Sequence, residues 1–240
     1  MKISGIDIAR YGAKQYRVDF GQSELKNDTE WIERAALPLF SANYNLFKEL
    51  TVKLIVYGTG RENIRNKISE IISHLLEPAE LELDGYARQF AGILTKTDVD
   101  EGSDAARKRF QILKLQFDAY EHGRQVAVEK DQWESYVQVK NPGNIRSPAV
   151  VRITPKTDLA ALTVSGICAD GFGQDVPVTI NNLKNGKTII IDGITGIVEE
   201  DGVAKDIDIW TLPAVRPGSN EITLSQWNVG MKVTVLPLYI

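Results

Sequence analysis

The chain has 240 residues and a formal net charge of −4 at pH 7, with 43% hydrophobic and 25% charged residues. This composition is typical of globular proteins, and the acidic balance offers no basic surface for tight nucleic-acid binding. A single cysteine, Cys168, excludes an internal disulfide and suits a protein made in a reducing cytoplasm. Because the sequence has neither the apolar run of a signal peptide nor the roughly 20 apolar residues that span a bilayer, we expect no membrane association.

The first part of the chain is predicted to combine several strands with one helix. Residues 3–9 alternate around Ile6 and Ile8 and predict an opening strand. Residues 50–57 form a β-rich run that ends at Gly58-Thr59-Gly60. Further strands are predicted around Leu81 and Leu83, at 110–117, at 126–128 and at 136–139.

One helix is predicted by an apolar stripe with helical periodicity, which ends before Pro78. The stripe consists of Ile64, Ile68, Ile71, Ile72, Leu75 and Leu76. Burial of six aliphatic side chains at about 1.5–3 kcal/mol each contributes roughly 10–18 kcal/mol before chain entropy is subtracted. We therefore expect the helix to dock on a sheet or on a neighbouring subunit.

A change in composition at Asn141 predicts a boundary between two domains, 1–140 and 141–240. Residues 1–140 contain 20 Lys/Arg and 22 Asp/Glu, whereas residues 141–240 contain 8 and 10. Turn-forming residues, Asn141-Pro142-Gly143-Asn144 and then Ser147-Pro148, begin at the same place. The second domain is expected to fold separately from the first.

The second domain is predicted to be an all-β sandwich, because turn residues recur every 8–12 positions. Asn185-Gly186 predicts a type I′ hairpin turn between the strands on either side, and Glu199-Glu200-Asp201-Gly202 predicts another hairpin turn. The predicted strands cover 149–153, 162–167, 176–180, 188–191, 194–198, 221–224 and 231–236.

Residue types that carry chemistry are few and dispersed. The two histidines are His74, in the predicted helix, and His122, in a predicted turn, and no nucleophile motif accompanies either. Cys168 lies in a strand-like run and is expected to pack as a small apolar residue. We therefore name no catalytic, cofactor-binding or metal-ligating residue and predict that no cofactor is required.

Three other patterns favour structure over chemistry. Asp98, Asp100, Glu101 and Asp104 surround Gly102 but lack the spacing of a calcium loop, so a solvated acidic loop is expected. The glycines at 58–60 and 171–173 lack the spacing of a phosphate-binding loop. Aromatic side chains at Trp210, Trp227 and Tyr239 leave sugar stacking open as an alternative to core packing.

The order of several short motifs resembles the distal tail protein (Dit) family of long-tailed phages, in its short form without inserted carbohydrate-binding modules. The motifs are Gly5-Ile6-Asp7-Ile8, Tyr11-Gly12-Ala13, Glu30-Trp31, Arg61-Glu62-Asn63-Ile64-Arg65, Glu77-Pro78-Ala79-Glu80-Leu81, Asp84-Gly85, Asn141 to Pro148, Ile191-Asp192-Gly193 and Pro217-Gly218-Ser219-Asn220. The resemblance spans essentially the whole chain. It implies a mainly β protein with an α+β first domain, a tail-tube-like split β-barrel or sandwich with one helix, and a galectin-like β-sandwich second domain.

The resemblance also implies a structural role at the distal end of a virion tail. Family members form a homohexameric ring, in some cases two stacked rings, that joins the tail tube protein to a tail-associated lysin or fibre hub. Baseplate or receptor-binding proteins attach to the ring, and DNA passes through its channel without specific binding. The protein would be made in the cytoplasm of a bacterial host, and an acidic chain is expected to line a channel that repels DNA.

The opening strand is our candidate for the ring interface, with Ile3, Ile6 and Ile8 as the contact residues. A short alternating strand at a terminus can pair with a neighbouring subunit and close a ring without leaving free edges. Two other functions stay open at this point. One is a lectin-like host-adhesion module in the second domain, and the other is a cell-wall hydrolase, which requires a placed carboxylate pair that the sequence does not identify.

Overall fold

The computed structural model of this protein describes residues 1–21, 25–30, 39–44, 47–100, 109–130, 136–170, 174–207, 209 and 211–240, with the backbone alone described at 25–30 and 39–44. The described chain forms two compact units. The first comprises Met1–His122 together with Ile240, and the second comprises Gly123–Tyr239. Each unit has its own buried apolar cluster.

Antiparallel strands and one described α-helix form the first unit. The strands are β1 (Lys2–Ile3), β2 (Ile6–Asp7), β3 (Ala13–Phe20), β4 (Leu25–Glu30), β5 (Leu39–Tyr44), β6 (Lys48–Tyr57), β7 (Ala79–Glu82), β8 (Gln89–Asp100) and β9 (Phe110–His122). The main sheet has the order β2-β1-β7-β8-β9-β6-β3, and β4 and β5 pair with each other. Inward residues alternate along β6 and β9, which confirms the two strands predicted there.

The opening strand predicted at 3–9 is wrong, because a turn interrupts it. Ser4 and Gly5 both have positive φ, 46° and 81°, so the chain reverses between β1 and β2. The carboxylate of Asp7 then accepts a hydrogen bond from the Ala9 amide at 2.9 Å and caps a short 3₁₀ helix, Ile8–Tyr11. Left-handed Gly12 ends this helix and leads into β3.

The predicted helix is α1 (Arg61–Ser73), and it packs on the inner face of the sheet. Ile64, Ile68 and Ile71 are buried, and Leu75 is buried just beyond the helix. Leu76, the last residue of the predicted stripe, is 74% exposed because the helix has already ended. The helix therefore docks within its own chain, the first of the two possibilities that the sequence left open.

The sheet of the first unit curls so that its end strand approaches the turn between β7 and β8. The side chain of Gln15 donates to the Asp84 carbonyl at 3.0 Å and accepts from the Asp84 amide at 2.8 Å. The Phe20 ring lies 5.2 Å from the Tyr86 ring and 5.4 Å from the Phe90 ring, measured between centroids. These contacts give the unit the form of a split barrel, as expected.

A half-buried ion-pair cluster links β6 and β9 in the same unit. The carboxylate of Glu121 accepts from Lys48 Nζ at 2.7 Å and from Arg88 Nη1 at 2.7 Å. Burial by itself raises the pKa of Glu121, but these two hydrogen bonds and positive charges outweigh it and lower the pKa. The folded state therefore favours the ionised carboxylate.

Two antiparallel sheets enclose the core of the second unit. Its strands are β10 (Val126–Lys130), β11 (Tyr136–Asn141), β12 (Ser147–Pro155), β13 (Leu159–Ser165), β14 (Val178–Leu183), β15 (Ile189–Asp192), β16 (Val198–Glu200), β17 (Val203–Ala204), β18 (Ala214–Val215), β19 (Gly218–Leu224), β20 (Val229–Val235) and β21 (Leu238–Tyr239). One sheet has the order β10-β20-β12-β15-β16-β17, with β18 beside β12, and the other has the order β11-β19-β13-β14. Inward residues of both sheets share one apolar cluster, so the unit is a β-sandwich.

The units divide at Gly123, earlier in the chain than the boundary predicted at Asn141. Strands β10 and β11, which the sequence placed in the first domain, pair with β20 and β19 of the second unit. Both are the end strands of their sheets, where charged residues such as Glu129 and Lys140 face solvent. The fall in charge density at Asn141 therefore marks the end of two edge strands within the sandwich.

The two predicted hairpin turns have different outcomes. Strands β14 and β15, on either side of Asn185-Gly186, belong to different sheets, and only Gly186 has a positive φ, so the predicted type I′ hairpin is wrong. Asp201 and Gly202 have φ of 48° and 79° and connect paired strands β16 and β17, which confirms that hairpin. In the stretch predicted as a strand at 194–198, residues 194–197 form a turn and a short connection, and β16 begins at Val198.

Asn141 stabilises the first of the turn motifs from within. Its side chain is buried, and its amide nitrogen donates to the carbonyls of Ile145 at 3.2 Å and Val215 at 3.1 Å. Its amide oxygen accepts from the Gly143 backbone at 2.8 Å. One side chain therefore satisfies two backbone groups in the connection between β11 and β12 and a third in β18.

The Asp192-Gly193 motif forms a second turn. The Asp192 carboxylate accepts from the amides of Ile194 at 2.7 Å and Thr195 at 3.1 Å. Burial raises the pKa of Asp192, but these hydrogen bonds outweigh it and lower the pKa. At Gly193 an added Cβ would lie 2.1 Å from the Pro213 carbonyl oxygen, so only glycine allows this close approach.

Candidate functional site

The two histidines are separate and each has a structural partner. His74 caps the C-terminus of α1, and its Nε2 lies 2.7 Å from the Tyr11 hydroxyl. His122 is the last residue of β9, not part of the predicted turn, and its Nε2 lies 2.8 Å from Glu80 Oε2. Among the described residues, no three His, Cys, Asp or Glu side chains are grouped as a metal site requires.

Cys168 is buried, as predicted from the sequence, in the segment after β13. Its thiol donates to the Thr211 carbonyl at 3.0 Å. Burial raises the pKa of the thiol to about 11, so the reactive thiolate is scarcely populated at neutral pH. The residue packs as a small apolar group that also makes one hydrogen bond.

The acidic cluster predicted as a loop lies partly on a strand. Asp98 and Asp100 are exposed residues at the end of β8, whereas Glu101 and Asp104 lie outside the described residues. The sequence did not predict β8, because every residue from 95 to 100 faces solvent. Such a strand lacks the apolar alternation on which sequence-based assignment depends.

The aromatic residues considered for sugar stacking do not form one described surface. Trp227 is 79% exposed in the turn between β19 and β20, and Tyr239 lies in β21. Trp210 is outside the described residues, as are the glycines at 171–173 and Trp31 of the N-terminal motif. Trp227 is therefore a solitary exposed ring among the described residues of its turn.

The three isoleucines predicted at a ring interface occupy different environments. Ile3 is 3% exposed and Ile8 is 2% exposed, and both belong to the apolar cluster of the first unit. Ile6 is half-buried on β2, which ends the main sheet. Only Ile6 is accessible enough to contact another subunit without disturbing the core.

Among the described strands of the first unit, β3 and β8 have the longer stretches of edge without a strand partner. Strand β3 pairs only with β6 among the described strands, so its other edge has no described strand partner, although the Gln15 side chain on β3 is hydrogen-bonded to Asp84. Strand β8 pairs with β7 only at 89–92, so residues 93–100 have β9 as their sole described neighbour. Exposed apolar side chains, Tyr16 on β3 and Ile93 and Val99 on β8, lie along these edges. Free edges with exposed apolar residues are where other chains pair.

The two edges differ in charge. On β3, Arg17 Nε pairs with Asp19 Oδ1 at 2.6 Å, and exposed Lys14 forms no ion pair with any described residue. The free part of β8 carries Lys96, Asp98 and Asp100, all exposed. The β3 edge therefore has an excess positive charge and the β8 edge an excess negative charge. The sequence alone did not reveal these residues because the pairing that exposes them is long-range.

The second unit contains a polar groove of about 450 Å³. Arg146, Asp175, Arg216, Asn220 and Glu221 line it. Asn220 shapes one wall, because its amide nitrogen donates to the Arg216 carbonyl at 2.8 Å and its amide oxygen accepts from the Arg216 backbone at 3.0 Å. Charged and amide groups of this kind hydrogen-bond to hydroxyl-rich ligands.

The fold has known counterparts, although no protein-family model and no curated protein matches the sequence. The Dit (gp 19.1) protein of phage SPP1, described as a paradigm of the hub adsorption apparatus in phages that infect Gram-positive bacteria, is similar with a TM-score of 0.72 and 15% identity. The match covers 99% of this chain and 98% of that chain.

Two structures of the phage p2 baseplate in its activated conformation are also similar. The structure with Sr has a TM-score of 0.53 and 10% identity, and the structure with Ca has 0.52 and 11%. Each match covers 95% of this chain and 92% of that chain. From its first strand to its last, the chain therefore has a Dit-like fold, mostly β with one described α-helix.

Proposed function

We propose that this protein is a structural hub of a phage tail tip, a non-enzymatic member of the Dit family. The observation that carries the proposal is the end-to-end fold match with SPP1 Dit, in which neither chain has a substantial extra segment. A role as a hub requires surfaces that contact several partners and does not require a catalytic centre. The dispersed histidines and the protonated Cys168 thiol agree with this role.

The hub is a homohexameric ring that joins the tail tube protein to the tail-associated lysin or fibre hub and to receptor-binding components. Its central channel passes DNA without binding it specifically, in agreement with the net charge of −4. We place the ring contact at the free edges of the first unit, with β3 of one copy beside residues 93–100 of β8 in the next. This head-to-tail contact is heterologous, and such a contact closes into a hexameric ring when neighbouring copies are related by a sixth of a full turn.

Charge and exposure support this choice over the N-terminal isoleucines. Lys14 on β3 and Asp98 on β8 have opposite charges and both face solvent. Ile3 and Ile8 are already packed in the core, so only Ile6 stays in the proposal, as a minor contact from β2. Pairing of the two edges would also satisfy backbone groups that have no partner strand among the described strands of one copy.

A second candidate function is glycan binding by the polar groove of the sandwich. The groove size of about 450 Å³ and its arginine, carboxylate and amide groups favour a hydroxyl-rich ligand. A glycan array with the full chain, compared with an Arg216→Ala variant, tests it. The full chain is needed because a fragment that begins near residue 145 lacks strands β10 and β11 of the sandwich.

Native mass spectrometry of the full chain tests the ring proposal, with negative-stain imaging of any large species. We expect a hexamer, or two stacked hexamers, with a central hole. An Ile6→Asp variant is expected to weaken the ring slightly, whereas Ile197→Asp, a matched change at an exposed site of the second unit, leaves it intact. A strict monomer at every concentration, also in the presence of a tail tube protein, would contradict the proposal.

A further inference from the structure

A second groove in the sandwich, of about 440 Å³, is lined by an unusual number of cations. It lies across β10, β20, β12 and the start of β15. Four basic residues line it: Lys130, Arg152, Lys156 and Lys232, although the register places Lys130 on the face of buried Met231, opposite to that of Arg152 and Lys232. Glu129 is the one acidic residue of the described lining, so the described lining residues carry an excess of three positive charges in a chain whose net charge is −4.

The cations of this basic groove are mostly uncompensated. Lys232 Nζ pairs with Glu129 Oε2 at 2.7 Å. Lys130 and Lys156 are exposed and form no ion pair with any described residue. Arg152 forms no ion pair within 4 Å there either, although its charge helps to lower the pKa of Asp192. On the face that carries Lys232, Arg152 and Lys156 are therefore the cations free to bind an external anion.

The register of the sheet places like charges side by side. Arg152 on β12 lies directly opposite Lys232 on β20, and Lys232 lies directly opposite Glu129 on β10. Like charges in direct cross-strand positions destabilise a sheet. An anion bound between Arg152 and Lys232 would remove that repulsion. Anion binding is therefore more favourable here than beside isolated surface cations.

The floor of the basic groove adds hydroxyl groups and space. The hydroxyls of Thr154 and Thr188 lie 2.9 Å apart, so one donates to the other and the second keeps a free O–H donor. Gly230 lies opposite Thr154 in the adjacent strand and contributes no side chain. A tetrahedral oxyanion in this groove can therefore hydrogen-bond to an arginine, to lysines and to a hydroxyl.

We propose that this basic groove binds phosphate groups of a hydrophilic, non-aromatic ligand. The guanidinium of Arg152 matches the paired oxygens of a phosphate, and the lysines supply further charge. An acidic peptide is disfavoured because Met231 is the lone apolar side chain of the lining and is buried, which leaves no pocket for an anchor residue. A nucleic acid is disfavoured because the described residues of the lining include no aromatic ring on which bases stack.

The proposal does not depend on the ring. It concerns residues of the second unit alone, and it holds for a monomer as well as for a hexamer. It also differs from the glycan candidate, whose groove has other lining residues. The shared chemistry is the phosphate group, which can come from a free oligophosphate or from a polymer of polyol phosphates.

Isothermal titration calorimetry of the full chain with inorganic pyrophosphate at low salt tests the site. We expect saturable binding that salt weakens, and a loss of about tenfold in affinity for Arg152→Ala, as for removal of one charge-assisted pair. Glu129→Gln should strengthen binding because it removes the one carboxylate. Lys140→Ala, at an exposed position of the other sheet, is the matched control and should bind as the parent does.

Competition experiments then identify the source of the phosphate. A glycerol-phosphate oligomer that displaces pyrophosphate supports a polymer ligand, and binding of pyrophosphate alone supports a free oligophosphate. Equal losses in Arg152→Ala and Lys140→Ala would show a general charge effect and overturn the site. Tighter binding of a thymidine oligonucleotide or an oligoglutamate than of the glycerol-phosphate oligomer would overturn the choice of ligand.

Discussion

Reversal of one charge on the edge of β3 is expected to weaken assembly of the ring by a measurable amount. In the proposed contact, Lys14 of one copy faces the acidic end of β8 in the next, around Asp98. Lys14 is exposed and has no described ion-pair partner in its own chain, so Lys14→Glu leaves the fold of the monomer unchanged. Its effect on assembly therefore reports on the contact between copies.

The magnitude follows from the exposure of both groups and from the symmetry of the ring. An exposed ion pair contributes about 0.2–1 kcal/mol, and reversal replaces attraction by a repulsion of similar size, so each contact loses about 1 kcal/mol. A closed hexamer repeats the contact six times, so the ring loses about 6 kcal/mol, or about four decades in its assembly constant. Because six protomers form one hexamer, the concentration for half-assembly varies with the fifth root of that constant and rises only about eightfold.

Mass photometry over a dilution series measures this shift, with Lys187→Glu in the second unit as the matched control. We expect the shift to shrink at high salt, because exposed charges are screened. The double variant Lys14→Glu with Asp98→Lys restores the opposite signs and is expected to assemble like the parent. Equal midpoints for Lys14→Glu and Lys187→Glu, or a double variant weaker than both single variants, would refute the placement of the ring contact.

Three further predictions concern stability. Ile71→Ala, at a fully buried position of α1, should lower the free energy of unfolding by about 2–5 kcal/mol in urea titrations. Leu76→Ala, at an exposed position, should change it by less than about 0.5 kcal/mol. Similar losses for the two variants would mean that the helix does not dock as described. Gly193→Ala should destabilise the sandwich by more than about 2 kcal/mol because its Cβ meets a carbonyl oxygen at 2.1 Å, whereas Gly60→Ala has open space and should be tolerated in thermal melts. Glu121 has a lowered pKa in the folded state, so its stabilising contribution is present above the unfolded value of about 4.3 and is lost as pH falls through the folded value. Glu121→Gln should therefore be less stable than the parent at pH 7, and a difference that persists undiminished at pH 3 would contradict the ionic origin.

The helix and the buried strands could be predicted because their apolar periodicity is local. The stripe that begins at Ile64 and the alternation along β6 each occur within about a dozen residues, and both are buried as predicted. The pattern of Ile6 and Ile8 is just as regular, yet the Ser4-Gly5 turn divides it. Alternation over so few residues does not distinguish one strand from two joined by a tight turn.

Of the two hairpin turns predicted from turn residues, one is correct and one is wrong, because strand pairing depends on distant contacts. Asp201-Gly202 connects neighbouring strands and forms the predicted hairpin, whereas Asn185-Gly186 connects strands of opposite sheets. Both dipeptides favour positive φ, but the partner of each strand is decided by contacts far along the chain. The boundary at Asn141 was misplaced in the same way, since β10 and β11 find their partners about 80–110 residues later.

The motifs that carry the family resemblance contain residues that shape or hydrogen-bond to the backbone, and this explains why they predict the fold. Gly12 ends the 3₁₀ helix, Asn141 satisfies three backbone groups, and Gly193 permits a close approach that no side chain allows. Such residues determine the path of the chain, so a resemblance based on them predicts the fold. The contacts that we propose with partners depend instead on exposed residues, Lys14 and Arg152, whose neighbours are set by strand pairing and which belong to none of these motifs. Substitutions at these exposed positions therefore separate function from fold, because they change the charge of a surface and leave the turns that define the fold intact.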